Sequence, residues 1–287
     1  MPEQRTLLFQ TLTSLHAGTG QPRGALKNPL LRESDTRWPV VSASTVKGAL
    51  RKQMRDALYS QYEASDDWKN QANSDPQLLE VFGTQAETSP TALTFGPARI
   101  LAFPLRSAHG IWGLITCPSA LAQFAQSISQ PLPELPQPEK TQVFCDSESP
   151  FLIEKKVVIL EDIELGFQGA WPEGIQWLQA QLPAESELQS TLSNRLMLVS
   201  DTCFNLLVQS KTELFDFHTQ PKENKQAQPV EFLPAETLLY TLITSEPAPL
   251  QTLLSQCPEY IHLGAYQSLG KGLCAVIPLS KEKTDHV

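Results

Sequence analysis

Three stretches of this chain carry residue types suited to holding phosphate. His16-Ala17-Gly18-Thr19-Gly20 sets an imidazole beside two glycines. Ser42-Ala43-Ser44-Thr45-Val46-Lys47-Gly48 is a Ser-rich turn running into a helical pattern. Gly264-Ala265-Tyr266-Gln267-Ser268-Leu269-Gly270-Lys271-Gly272 is a glycine-rich loop ahead of the last strand. A helix N-terminus offers free N–H groups and the positive end of a dipole, and Lys47 adds a charge beside it. Lys47, Arg51 and Arg55 recur at i, i+4 and i+8, so they share one face. Glycines let a backbone approach phosphate closely. The loop at 264–272 has neither P-loop spacing nor a dinucleotide fingerprint.

Charge sharpens this reading. From Arg23 to Arg55 there are eight basic and two acidic residues, a net +6. The whole chain is −9, so the remainder is −15. Such a split fits a polyanion-binding face on an acidic body. The five cysteines and five histidines are dispersed, with no C-x-x-C or H-E-x-x-H spacing. That excludes a disulfide framework and a protein metal site, and predicts free thiols in a reducing cytoplasm. No apolar run is long enough for a membrane span. Glu161-Asp162 and Asp66-Asp67 read as solvated acids.

The elements that position these residues follow from pattern. Residues 5–15 read as a strand, and 20–43 as a long functional loop. Ser44 or Thr45 caps a helix with Val46, Leu50, Met54, Ala57 and Leu58 as its apolar stripe. Residues 63–77 read as loose, and Leu78–Phe82 as a helical turn ended by Gly83. Strands follow at 91–103, 110–116, 155–167, 195–199, 236–243, 259–263 and 273–279. Helices fall at 118–129, 171–180, 201–208 and 249–256. The four prolines of 130–141 make an extended surface connector. Residues 211–218 and 229–233 read as arms of a hairpin with a polar tip. The order predicts one α+β domain over 1–287, a ferredoxin-like β-α-β-β-α-β palm with long insertions at 20–43 and 60–90 and a projecting thumb at 211–233.

Taken together, the motifs resemble the RAMP (Cas7-type) proteins of type III CRISPR effector complexes. The matching residues are His16–Gly20, Arg32-Glu33, Pro39, Ser44 with Lys47-Gly48 and Arg51, and Gly264–Gly272. Leu93–Leu121, Leu196–Phe204 and Val230–Tyr240 are similar to blocks of the type III-B backbone branch. The resemblance implies a stack of identical subunits along CRISPR RNA. It implies single-stranded target RNA, other Cmr subunits including a Cas10-type subunit, and no membrane as its surroundings. A hairpin thumb in that family interrupts the guide–target duplex at every sixth nucleotide. Phe215, Phe217 and Phe232 are candidates to wedge between base steps, or to pack the hairpin root. Guide contacts are expected from His16, Gly18, Gly20, Arg32, Ser44, Lys47, Gly48, Arg51, Gly264, Gly270, Lys271 and Gly272. For Arg32 a salt bridge holding the loop is the alternative.

One position departs from the family. Active members carry an Asp two residues before the loop proline. With Pro29 in register, that place is Lys27. A carboxylate could accept a proton from a 2′-hydroxyl or hold a metal, whereas protonated lysine only neutralises phosphate. The expectation is binding without cleavage, no catalytic residue and no cofactor. Two enzymatic alternatives stay open: target cleavage with Mg²⁺ through another acid such as Asp35, or guide processing with His16 as base.

Overall fold

The first strand, Glu3–Thr11, carries an unbroken apolar run, Leu7-Leu8-Phe9, because both of its faces are covered. The computed structural model describes residues 2–22, 26, 28–59, 67–84, 93–215 and 229–279. Leu7 and Phe9 point one way, into a core with Leu239, Ile243 and Ile100. Val46 and Leu50 of the helix Ala43–Ala57 and Leu250 and Leu253 of the helix Pro247–Ser255 close that side. Leu8 points the other way, with Leu238, Tyr240 and Leu101. Leu121 and Phe124 of the helix Pro118–Ile128 cover that second face.

Four antiparallel strands form the palm, in the order Leu273–Pro278, Glu3–Thr11, Leu238–Ser245, Ala98–Arg106. By chain position this is fourth, first, third, second. The helix Ala43–Ala57 joins first to second, and Pro247–Ser255 joins third to fourth. That is the β-α-β-β-α-β plan the pattern predicts, with residues 107–237 inserted between its second and third strands. The near half of Ala98–Arg106 pairs in the palm, while Phe103–Arg106 pairs with Trp112–Thr116. The sheet continues through Leu196–Val199, Gln142–Phe144, Ile163–Gly169 and Val157–Leu160.

Several local expectations are corrected. Ser42, not Ser44 or Thr45, caps the first long helix, its hydroxyl accepting from the Thr45 N–H at 3.2 Å. Val46, Leu50 and Met54 are the stripe it buries, each contributing about 1.5–3 kcal/mol. Trp68–Asn73 is helical where a loose segment was expected, and Glu187–Arg195 is a helix the pattern does not announce. Residues 155–167 are two strands turned at Glu161-Asp162, with Glu161 at φ 56°. Glu161 is also not a solvated acid: its half-buried carboxylate pairs with Arg106 at 2.6 Å. The hairpin is present at its root, Glu213–Phe215 against Val230–Phe232. Residues 216–228, Phe217 among them, lie outside the described residues. The five cysteines are free thiols, and burial pushes Cys203 up to about 11. No described helix is long and apolar enough to cross a membrane.

Candidate nucleic-acid interface

The His16 segment is held by backbone pairing on two sides. Leu15 exchanges hydrogen bonds with Leu233 of the hairpin at 2.9 and 2.8 Å. The His16 carbonyl accepts from the Ala265 N–H of the glycine loop at 2.9 Å. Leu31 donates to the Ala17 carbonyl at 2.8 Å, which brings the long loop alongside. The motif is therefore the seam where palm, loop, hairpin and glycine loop meet.

His16 is buried, with Nδ1 2.6 Å from the Glu231 carbonyl. A carbonyl only accepts, so Nδ1 carries the proton and Nε2 presents a lone pair. Nε2 is buried and has no hydrogen-bond partner among the described residues. Desolvation holds the imidazole pKa below its ordinary value, against the opposing pull of the Glu231 carbonyl and carboxylate. A Cβ at Gly18 would lie 2.3 Å from Nε2 and 2.5 Å from Asn28 Oδ1, so only glycine lets the loop close over the ring.

The carboxylate at the centre is Glu231, which sequence reasoning missed. It accepts from the Leu30 N–H at 2.9 Å and from the Thr212 hydroxyl at 2.7 Å, and it pairs with Arg32. Its side chain is 5% exposed. One buried anion thus ties the long loop to both arms of the hairpin. The available signal was a lone acid inside the apolar run Val230-Glu231-Phe232-Leu233, on a chain whose Arg32 needed a partner.

The helix Ala43–Ala57 supplies the adjoining surface. Ser44 and Gly48 are exposed, and a Cβ at Gly48 would meet nothing within 4 Å. A glycine inside a helix costs about 1 kcal/mol relative to alanine. Nothing in the described fold requires it, which leaves room for an external backbone. Lys47 is half-buried, and its pKa is lowered by desolvation and then by Arg51. Lys52 reaches across to Gln267 Oε1 at 3.1 Å and so joins helix and glycine loop. In that loop Gly264, Gly270 and Gly272 all have positive φ. A Cβ would clash with the His16 carbonyl at Gly264 and the Leu263 carbonyl at Gly272, while Gly270 faces open space. Gly20 is likewise open, at φ 74°.

Besides His16 and Gly272, which are themselves buried, three expected contacts sit elsewhere than on an open surface. Arg32 is occupied by Glu231 and by the Arg37 carbonyl at 3.0 Å, which is the salt-bridge alternative. Arg51 donates to the Gly83 carbonyl at 2.7 Å, and its Nε and Nη2 are shielded from solvent. It therefore ties the helix to Pro76–Phe82. Phe232 is fully buried, 5.3 Å from the His16 ring and 5.5 Å from that of Tyr266, so it packs the hairpin root and cannot wedge between bases. Phe215, on the outer arm, is half-buried. Lys27 lies outside the described residues. Asp35 is exposed and lies near Arg99, whose side chain is held by Glu33 at 2.6 Å. Among the described residues no cluster of three or more His, Cys, Asp or Glu could hold a metal ion.

The profile of the RAMP superfamily matches residues 8–275. The chain belongs to the RAMP superfamily. Within it, the chain is 23% identical over 290 residues to the CRISPR system Cmr endoribonuclease Cmr4 of Pyrococcus furiosus, covering 93% of this chain and 92% of that RAMP protein. Oligomeric Cmr4 from Pyrococcus furiosus has the same fold, with a TM-score of 0.73 at 23% identity over 96% of this chain and 97% of the other. A chain of the type III-B Cmr-beta complex bound to cognate target RNA also shares the RAMP fold, with a TM-score of 0.68 at 15% identity over 96% and 97% of the two chains.

Proposed function

We propose that this chain is a backbone subunit of a type III-B CRISPR ribonucleoprotein. It stacks on further copies of itself along CRISPR RNA, beside other Cmr subunits including a Cas10-type subunit. It holds the duplex between guide and single-stranded target RNA. One observation carries this reading: the His16 loop joins the root of one hairpin to the glycine loop, and Lys52 ties the Ser42-capped helix to that same glycine loop. They do so in a chain similar to Cmr4 over 93% of its length. A single palm offers few phosphate contacts, so one copy binds weakly and stacking supplies the avidity.

In this reading the subunit binds target without cutting it. Lys27 stands where active relatives carry the Asp, and a protonated lysine neither takes a proton nor holds a metal. The competing reading is cleavage with Mg²⁺ through Asp35, favoured by the endoribonuclease named among the relatives. The deciding experiment uses the assembled complex, labelled target RNA and Mg²⁺, with wild type beside Lys27→Asp. Intact target in wild type and regular cuts in Lys27→Asp are the expected results. Regular cuts already present in wild type, and abolished by Asp35→Ala, would transfer the chemistry to Asp35.

A further inference from the structure

Lys271 carries a positive charge, and no carboxylate pairs with it among the described residues. Its ammonium lies 3.8 Å from the centroid of the Phe215 ring and 5.4 Å from that of Phe232. The two rings meet edge to face at 5.1 Å. A cation over an aromatic face is attracted by the ring quadrupole, and more strongly when it is shielded from water.

The backbone around Lys271 is fixed. Gly270 and Gly272 flank it at φ 73° and 79°. The Gly272 N–H donates to the Ser14 carbonyl at 2.9 Å, and the Lys271 N–H to the Tyr266 carbonyl at 3.3 Å. Tyr266 is itself left-handed, at φ 66°, a conformation that costs a non-glycine residue energy and persists only where surroundings enforce it.

The two arms of the hairpin are held unequally. Val230–Phe232 is wholly buried, whereas Glu213–Phe215 is half-buried with Leu214 exposed. Beyond its ladder, the outer arm is tied to the palm by Glu213 accepting from the Ser14 hydroxyl at 2.5 Å and by Phe215 under Lys271.

We infer that Lys271 is a positioning residue, a cation–π latch by which the glycine loop fixes the outer arm of the hairpin. It acts on the hairpin through the Phe215 ring, independently of any RNA contact.

The test is amide hydrogen exchange over residues 213–215 in the full chain, with residues 230–232 as internal reference. Lys271→Met keeps length and packing but removes the charge. It should speed exchange over 213–215 about tenfold and leave 230–232 unchanged. Lys271→Arg, which also stacks on rings, should restore slow exchange. Phe215→Leu should reproduce the effect, and combining it with Lys271→Met should add nothing further. Unchanged exchange in Lys271→Met, or additive effects in the double variant, would overturn the latch.

Discussion

Glu231 and Glu161 each collect an arginine, and they do different work. Glu231 accepts from the Leu30 backbone, Thr212 and Arg32, so it joins segments some two hundred residues apart in sequence. Glu161 accepts from the side chain and the backbone N–H of Arg106, and so straps a turn to a strand within the inserted half. Arg32 is itself largely buried, with 15% of its side chain exposed, whereas that of Arg106 is 85% exposed. The first pair sits in low dielectric and cannot be rescued by water once broken; the second can. Burial of the cation, more than that of the anion, separates a structural keystone from a local strap.

The largest effect should come from breaking the keystone. Glu231→Ala leaves the Arg32 charge without its carboxylate and removes the acceptor of the Leu30 N–H, and should cost about 3–5 kcal/mol in denaturant unfolding. Glu161→Ala should cost clearly less, and its effect should depend on acid. The Arg106 hydrogen bond holds the Glu161 carboxyl below its ordinary value of 4.5. Its stabilisation is therefore complete above that value and is lost as pH falls through the lower folded value. Wild type should lose a stability increment in that window that Glu161→Gln lacks.

The pH dependence of the seam separates the two regions further. Burial lowers the His16 pKa below 6.5, so the unfolded chain binds the proton first as pH falls. Stability should be full above 6.5 and decline below it, until the folded value is reached. Unfolding midpoints from roughly pH 8 to 5 should show this slope, and His16→Gln should flatten it.

The basic helix allows a finer test. Lys47→Glu should weaken single-stranded RNA binding and lower the salt slope by about one, with little change in stability. Arg51→Gln should do the reverse, because its guanidinium holds the Gly83 carbonyl. The smallest effect concerns the turn at Glu154-Lys155, where both residues have positive φ. Glu154→Asn with Lys155→Gly should stabilise by roughly 0.5–1 kcal/mol in thermal unfolding, since those residues tolerate that backbone.

The palm was legible because its strands carry apolar runs and its helix an i, i+4, i+8 stripe. The His16, Ser42–Gly48 and glycine loops were legible as motifs, but not the bonds between them. Glu187–Arg195 escaped because Leu188 and Leu192 are its only buried residues, too few to announce a period. Glu231 escaped because all four residues of its run are buried, so no alternation marks which side it serves. Arg51 and Phe232 were chosen by type, and only packing tells an inward guanidinium or ring from an outward one.

The insertion between the second and third palm strands governs the order in which the chain can assemble. Leu7 pairs with Thr241 on one side and Pro278 on the other, so the first strand waits for partners that lie 234 and 271 residues further along the chain. At roughly 5–20 residues per second that delay is on the order of ten seconds or more. Meanwhile Leu7-Leu8-Phe9 has no strand beside it, and most partners of the inserted half emerge first. The palm thus closes after the inserted half, and its first strand is the segment most in need of protection during synthesis.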